Sequence, residues 1–249
     1  RDDKDKLFIS PALAYNQYDG IMPGLLFHNL TLPENRFRFA IAPLYSFETN
    51  SATGAGSVGY LWYPHGIFRE IMLQADAKSF HYREMDQNVI AVSPLPHISA
   101  RFTKVAPSLS FTFHHLPLSS VTRTLTLKAY YINEESIDSS FLPTLIYDGL
   151  HLTQQTKVYG KIDYHHQNAR TYNPFSYTVE GQAGADFLKF NIEGNLRIDY
   201  NRPKKSLYLR GYLGKFIALN NTSAVNSRYG LTATYTGLND YLYDGTSLG

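Results

Sequence analysis

Leu188-Lys189-Phe190-Asn191-Ile192-Glu193-Gly194-Asn195-Leu196-Arg197-Ile198-Asp199-Tyr200 decides the fold class. Side chains of a strand alternate between its two faces, so Leu188, Phe190, Ile192, Gly194, Leu196, Ile198 and Tyr200 share one side. Lys189, Asn191, Glu193, Asn195, Arg197 and Asp199 share the other. A helix would scatter both sets around its circumference. The stretch reads as a strand with one apolar and one charged face, sustained over about a dozen residues.

The period of two recurs with other letters. Val105, Pro107, Leu109, Phe111 and Phe113 oppose Lys104, Ala106, Ser108, Ser110, Thr112 and His114. Val121, Leu125, Leu127, Ala129 and Tyr131 oppose Thr122, Thr124, Thr126, Lys128 and Tyr130, with Arg123 the exception on the apolar side. Val158, Gly160, Ile162 and Tyr164 oppose Lys157, Tyr159, Lys161, Asp163 and His165. Arg36–Phe47, Glu70–Lys78, Ser176–Asp186 and Arg228–Thr236 alternate likewise, and Leu7–Tyr15, Gly20–Asn29, Gly54–Tyr63 and Ser206–Phe216 do so less regularly. The total is about twelve strands.

Turn residues separate them: Asn16–Gly20, Pro33-Glu34-Asn35, Thr49–Thr53, Pro64-His65-Gly66, Asn201-Arg202-Pro203 and Asn220–Asn226. Longer connections are expected at Arg83–Pro96, Asn133–Gln154 and Gln167–Asn173. Short turns at one end and long loops at the other are the layout of an outer-membrane barrel. Strands of soluble sandwiches average about five or six residues, whereas a bilayer-spanning strand needs about nine to eleven, and several here alternate for longer than that. Aromatic clusters at Tyr60-Leu61-Trp62-Tyr63, Phe80-His81-Tyr82, Tyr130-Tyr131 and Tyr241-Leu242-Tyr243 fall where interfacial girdles are expected.

Composition agrees with this reading. The 249 residues include 20 Tyr and 15 Phe but no Cys, which excludes disulfides and thiolate metal sites. Lys and Arg number 23 against 21 Asp and Glu, so nothing attracts a polyanion and nucleic acid is not an expected partner. No apolar run is long enough for a spanning helix, and Arg1-Asp2-Asp3-Lys4-Asp5-Lys6 is too polar for a signal peptide. A membrane location would therefore rest on strands. No Pro/Gly/Ser linker divides the chain, so residues 1–249 are read as one domain.

Motifs for chemistry are sparse. Gly54-Ala55-Gly56-Ser57-Val58-Gly59 matches the dinucleotide glycine string, but that motif works only where a strand turns into a helix, and Tyr60-Leu61-Trp62-Tyr63-Pro64 follows instead. A glycine-rich strand is the better reading. His114-His115 and His165-His166 invite a metal, yet neighbours on a strand point to opposite faces and cannot share one ion without a bulge. Neither His-Glu-x-x-His nor Gly-x-Ser-x-Gly occurs. A phospholipase-like site could still assemble from a Ser and a His on neighbouring strands, which no spacing rule would reveal. Asp76, Asp163 and Glu193 fall on polar faces opposite Lys and Arg, as ion pairs of a hydrated lumen would. No catalytic, cofactor-binding or metal residue is assigned, and no cofactor is expected.

Pro11-Ala12-Leu13-Ala14-Tyr15-Asn16-Gln17-Tyr18-Asp19-Gly20-Ile21-Met22-Pro23-Gly24 resembles a segment in the C-terminal region of bacterial envelope proteins whose N-terminal part is an aminopeptidase-N-like zinc peptidase of the gluzincin class. The likeness continues through His28–Pro33, Phe39–Tyr45, Gly54–Tyr60 and Ala77–Phe80, and beyond the first third it rests on strand pattern alone. The resemblance implies an outer-membrane β-domain, broadly similar to barrels of the BamA and surface-antigen type, that anchors or accompanies a peptidase domain. The peptidase's zinc motif is missing, so no catalytic residue carries over and any active site lies outside these residues. Barrels of the BamA type have sixteen strands, and the chain ends at Asp244–Gly249 on a loop rather than an aromatic-ended strand, so further strands are expected beyond this segment.

The expectation is an all-β, antiparallel transmembrane barrel in a Gram-negative outer membrane, with lipid and an envelope peptidase domain or other envelope proteins as partners. Its alternatives are a transport or outer-membrane assembly barrel, a β-barrel enzyme, and a soluble β-sandwich binding protein.

Overall fold

A computed structural model of the chain describes residues 6–32, 34–85, 98–116, 118–141, 147–200, 205–220, 229–231 and 241–244. The fold is all-β. Eleven strands follow one another: β1 (Phe8–Asn16), β2 (Gly20–His28), β3 (Phe37–Ser46), β4 (Ser51–Trp62), β5 (Phe68–Met85), β6 (Ile98–Phe113), β7 (Val121–Phe141), β8 (Tyr147–Asn168), β9 (Phe175–Gly184), β10 (Phe187–Asp199) and β11 (Ser206–Ala218). They form one sheet in sequence order, each antiparallel to the next. Such a meander needs only local connections, and the turn chemistry supplies them. Between β1 and β2, the Asn16 side-chain oxygen accepts the N–H groups of Tyr18 (2.8 Å) and Asp19 (2.7 Å), and Gly20 takes the positive φ that closes the turn.

The decisive stretch is β10, paired from Phe187↔Ala218 to Asp199↔Ser206 on one side and with β9 on the other. Burial follows the alternation with its usual sense reversed. On β6, Lys104 is 2% exposed and Ala106 is buried, while Val105 between them is 40% exposed. Leu13, Ile41, Leu73, Leu127, Val158, Ile162, Val179, Ile192 and Leu213 lie on the same exposed, apolar face. The other face carries the charges, and the core gathers there, around Met22, Leu44, Phe102, Ile132 and Phe187. Among the described residues no second sheet covers the apolar side.

Three expectations need correction. The first concerns strand count: eleven strands are described where about twelve are expected, and the sheet they form is open, with β1 and β11 as its edges. Parity supplies the reason, because β1 and β11 run in the same direction and an all-antiparallel sheet closes only on an even number of strands. The twelfth expected strand, Arg228–Thr236, lies outside the described residues apart from Tyr229 to Leu231, and these belong to no strand.

The second correction concerns the connections. Most of Asn133–Gln154, expected as a loop, is strand: β7 and β8 pair from Val121↔Asn168 to Phe141↔Tyr147. Likewise β5 and β6 stay paired as far as Met85↔Ile98. Both long hairpins project at the end that also carries the tight turns 17–19 and 47–50, so tight turns and long extensions share one end. Residues 86–97, most of the expected loop Arg83–Pro96, lie outside the described residues.

The third concerns the aromatics. On the exposed face an aromatic band does form at the opposite end: Tyr60 packs on Trp62 (4.6 Å), Phe68 on Phe111 (5.0 Å) and Phe113 (5.1 Å), and His166 on Tyr177 (4.8 Å). Phe80, Tyr82, Tyr130, Tyr241 and Tyr243, expected in girdles, instead turn to the polar face. Only Tyr131 of the Tyr130-Tyr131 pair faces outward.

Candidate functional site: the polar face and the segment seated on it

The polar face is occupied by the chain's own C-terminal segment. Tyr243 stacks on Phe102 with ring centres 4.0 Å apart and rings nearly parallel, and Tyr82 meets its edge. Tyr229 stacks on Phe187 at 4.5 Å, Tyr241 presents its edge to both, and the Tyr159 hydroxyl lies 3.1 Å from that of Tyr229. The Tyr241 hydroxyl also donates to the Gln182 side-chain carbonyl. Rings bury large areas at little cost in rotamer freedom, so two aromatic clusters fasten Tyr229, Tyr241 and Tyr243, which belong to none of the eleven strands, to the sheet beneath them.

Between the clusters sits a charged cradle. Lys104 Nζ lies 2.5 Å from Asp244 Oδ1 and donates to the Leu242 carbonyl at 2.6 Å. Lys128 Nζ is 3.5 Å from the same Oδ1, and the Tyr130 hydroxyl donates to Oδ2 at 2.6 Å. Both ammonium groups stand 4.9 Å from the centre of the Tyr130 ring. Burial alone would push the Asp244 carboxyl up, but the Lys104 and Tyr130 bonds hold it below its ordinary value. Alternation explains the gathering: Lys104 on β6 and Lys128 and Tyr130 on β7 share one face, and the pairing Lys104↔Ile132 brings the strands into step. A cavity of about 440 Å³ opens beside the cradle toward Ser57, Asp76 and Lys78.

Two further networks pair buried carboxylates on the polar face. Glu180, almost wholly buried, meets Lys161 Nζ at 2.6 Å and accepts from Gln182 (2.6 Å) and Asn191 (3.1 Å). Glu134 meets Lys157 at 2.9 Å. A buried charge survives only when paired and bonded, and these are.

At the end bearing the tight turns, β4 and β5 separate. Their register runs from Trp62↔Ile71 to Gly54↔Ser79, leaving Ser51, Ala52 and Thr53 beyond it. Side chains patch the gap. Asp19 Oδ2 accepts the backbone N–H of His81 at 2.9 Å and Oδ1 lies 2.6 Å from its Nδ1, while Arg101 Nη2 donates to the Ala52 carbonyl at 2.7 Å.

The residues singled out by sequence are scattered. Gly54–Gly59 lies inside β4, and a Cβ on Gly54 would stand 2.4 Å from the Ala42 carbonyl, so close strand approach accounts for that glycine. His165 faces Thr178 and His166 the aromatic band, on opposite sides of β8. His115 meets Arg69 at 3.0 Å. Glu193 pairs with Arg210 at 2.8 Å, Asp76 accepts from Gln74 at 2.7 Å, and Asp163 lies on the polar face between Lys161 and His165. Among the described residues no three His, Cys, Asp or Glu side chains stand close enough to hold a metal ion, and no helix is long and apolar enough to cross a membrane. Sequence reasoning missed the cradle and the Asp19–His81 pair; parity places Lys104 on the polar face, but nothing in one sequence marks Asp244 as its partner. Comparison with known protein families, curated proteins and solved structures finds no match to this chain.

Proposed function

We propose that this chain is a β-domain of a bacterial outer membrane: its apolar face lies against lipid, its polar face borders a lumen partly filled by the C-terminal segment, and its work is anchorage of an envelope domain. The observation that carries the reading is the reversed burial on β6, where Lys104 is covered and Val105 is open. A soluble sheet hides Val and shows Lys; hydrocarbon solvent inverts that preference. Strands of 9 to 22 residues reach across a hydrocarbon layer, and the aromatic band lies on the exposed face where ring and hydroxyl would meet the headgroups.

In lipid, an unpaired strand edge costs several kcal/mol for each unsatisfied backbone group. On this reading β1 and β11 are joined by an odd number of additional strands, each antiparallel to its neighbours. Association with a gluzincin peptidase domain rests on the resemblance around Tyr15–Gly20. Those residues have a local task, since Asn16, Asp19 and Gly20 shape the β1–β2 turn and hold it to His81. The likeness therefore speaks first for a shared turn. A lumen that admits solutes is the second reading, favoured by the cavity beside Lys104.

Trp62, the single tryptophan, tests the proposal because it sits in the aromatic band of the exposed face. In vesicles containing brominated lipid its fluorescence should be quenched, and acrylamide in the water should quench it little. Quenching by acrylamide without quenching by bromolipid would remove the membrane reading.

A further inference from the structure

The cradle around Asp244 has the form of a binding site already holding a ligand. One carboxylate oxygen meets two ammonium groups, the other accepts from a phenol, and the carboxylate comes from residues 241–244, which belong to none of the eleven strands. Lys104 is almost completely buried, whereas the Asp244 side chain is 40% exposed. The cation is thus part of the wall, and the anion is reachable from solvent. The adjoining cavity of about 440 Å³ is many times the roughly 10–15 Å³ that one water needs on the same measure.

We propose that Lys104, Lys128 and Tyr130 form a site for a small carboxylate solute, filled in this structure by the chain's own Asp244. With Asp244 withdrawn, two ammonium groups and a phenol donor converge on the vacated position beside the cavity. The paired ammonium groups and the phenol donor suit the two oxygens of one carboxylate, while the cavity takes the rest of a short dicarboxylate. The inference rests on reading the polar face as a solvated lumen, but its test does not depend on lipid.

Lysine acetylation of the full chain, read residue by residue by mass spectrometry, provides that test with succinate as the probe. In the unaltered protein Lys104 should react slowly and Lys205, which is exposed, rapidly. In Asp244→Asn, Lys104 should react faster by about tenfold, the scale of one lost charge-assisted contact. Millimolar succinate should restore its protection and leave Lys205 unchanged, and the neutral isostere succinamide should not. Adding Tyr130→Phe should weaken the succinate effect severalfold. Protection by succinamide equal to that by succinate, protection by inorganic phosphate alone, or an Asp244→Asn protein whose Lys104 ignores succinate would each overturn the proposal. A second measurement avoids the variant altogether: succinate should speed amide hydrogen exchange at Leu242–Asp244 in the unaltered protein, and unchanged exchange there counts against the site. Failure of the Trp62 quenching experiment removes the membrane reading alone; failure of the succinate arms removes the carboxylate site alone.

Discussion

Asp19, in the turn between β1 and β2, is 62 residues from His81 in sequence and 2.6 Å from its Nδ1 in space. Its carboxylate accepts the His81 backbone N–H as well, taking the place of a strand partner where β4 and β5 part. Thr49 Oγ1 adds a bond at 3.0 Å, and Ser46 Oγ holds the Asp19 carbonyl at 2.7 Å. Asp19→Ala would leave the His81 N–H buried without an acceptor, a loss of about 1–3 kcal/mol. Asp19→Asn keeps one acceptor oxygen and should lose less. Denaturant unfolding of the two variants should show that order, and equal stability of all three proteins would mean that the seam is held by something else.

The same carboxylate sets an acid limit. Burial pushes the Asp19 carboxyl up, yet the side-chain and backbone bonds from His81 outweigh it and hold the group below the ordinary 3.8. The unfolded chain therefore takes up this proton at a higher pH than the folded one. The contribution of Asp19 to stability is fully present above pH 3.8 and fades as the pH falls from there through the depressed value in the fold. Asp244 follows the same sign, opposed by burial and favoured by Lys104 and Tyr130. Hydrogen exchange followed between pH 6 and pH 3 should show the turn at 17–19 and the segment at 241–244 loosening only at the acid end of that range, before the central strand pairs. Loosening near neutrality would assign both contacts to another titrating group.

How far these features were legible depends on where period two survives. The cores of β6 to β10 could be read because lipid-like and water-like faces alternate residue by residue. The extensions of β7 and β8 could not, because Asn133-Glu134-Glu135-Ser136 carries polar residues on both faces and so looks like a loop. Tyr241 and Tyr243 are indistinguishable by composition from girdle tyrosines; only Phe102, Phe187 and Gln182, far away in sequence, mark them as an anchor on the polar face. The Asp19–His81 pair depends on the register of two strands that part company, and a single sequence does not record register.

Face-specific substitution separates the two sides of the sheet. Ile192, on the exposed apolar face of β10, and Asn195, three residues on and on the polar face, point in opposite directions. In vesicles, Ile192→Arg should reduce folding stability by about 2–4 kcal/mol if it lies near the bilayer midplane. Asn195→Arg faces water and should stay within about 0.5 kcal/mol. Urea titrations of the vesicle-folded protein measure both. A reversed order would place the polar face against lipid.

Phe187 is the residue on which the aromatic anchor turns. It has no exposed surface, stacks on Tyr229 at 4.5 Å, lies 5.9 Å from Phe216, and receives the edge of Tyr241 at 5.6 Å. Because β10 begins with it, the ring belongs to the sheet while two of its neighbours belong to the C-terminal segment. Truncation should therefore act twice. Phe187→Ala leaves a cavity and should lower stability by about 3–5 kcal/mol, and Phe187→Leu, which refills much of the volume without a stacking face, should lose less. Limited proteolysis distinguishes packing from anchorage: in Phe187→Ala the segment 229–244 should be cut well before the strands, since Lys104 and Phe102 hold only its far end. If cleavage instead begins in β10 while the segment remains protected, the cradle at Asp244 and the Phe102–Tyr243 stack secure it, and the cluster around Phe187 serves the sheet.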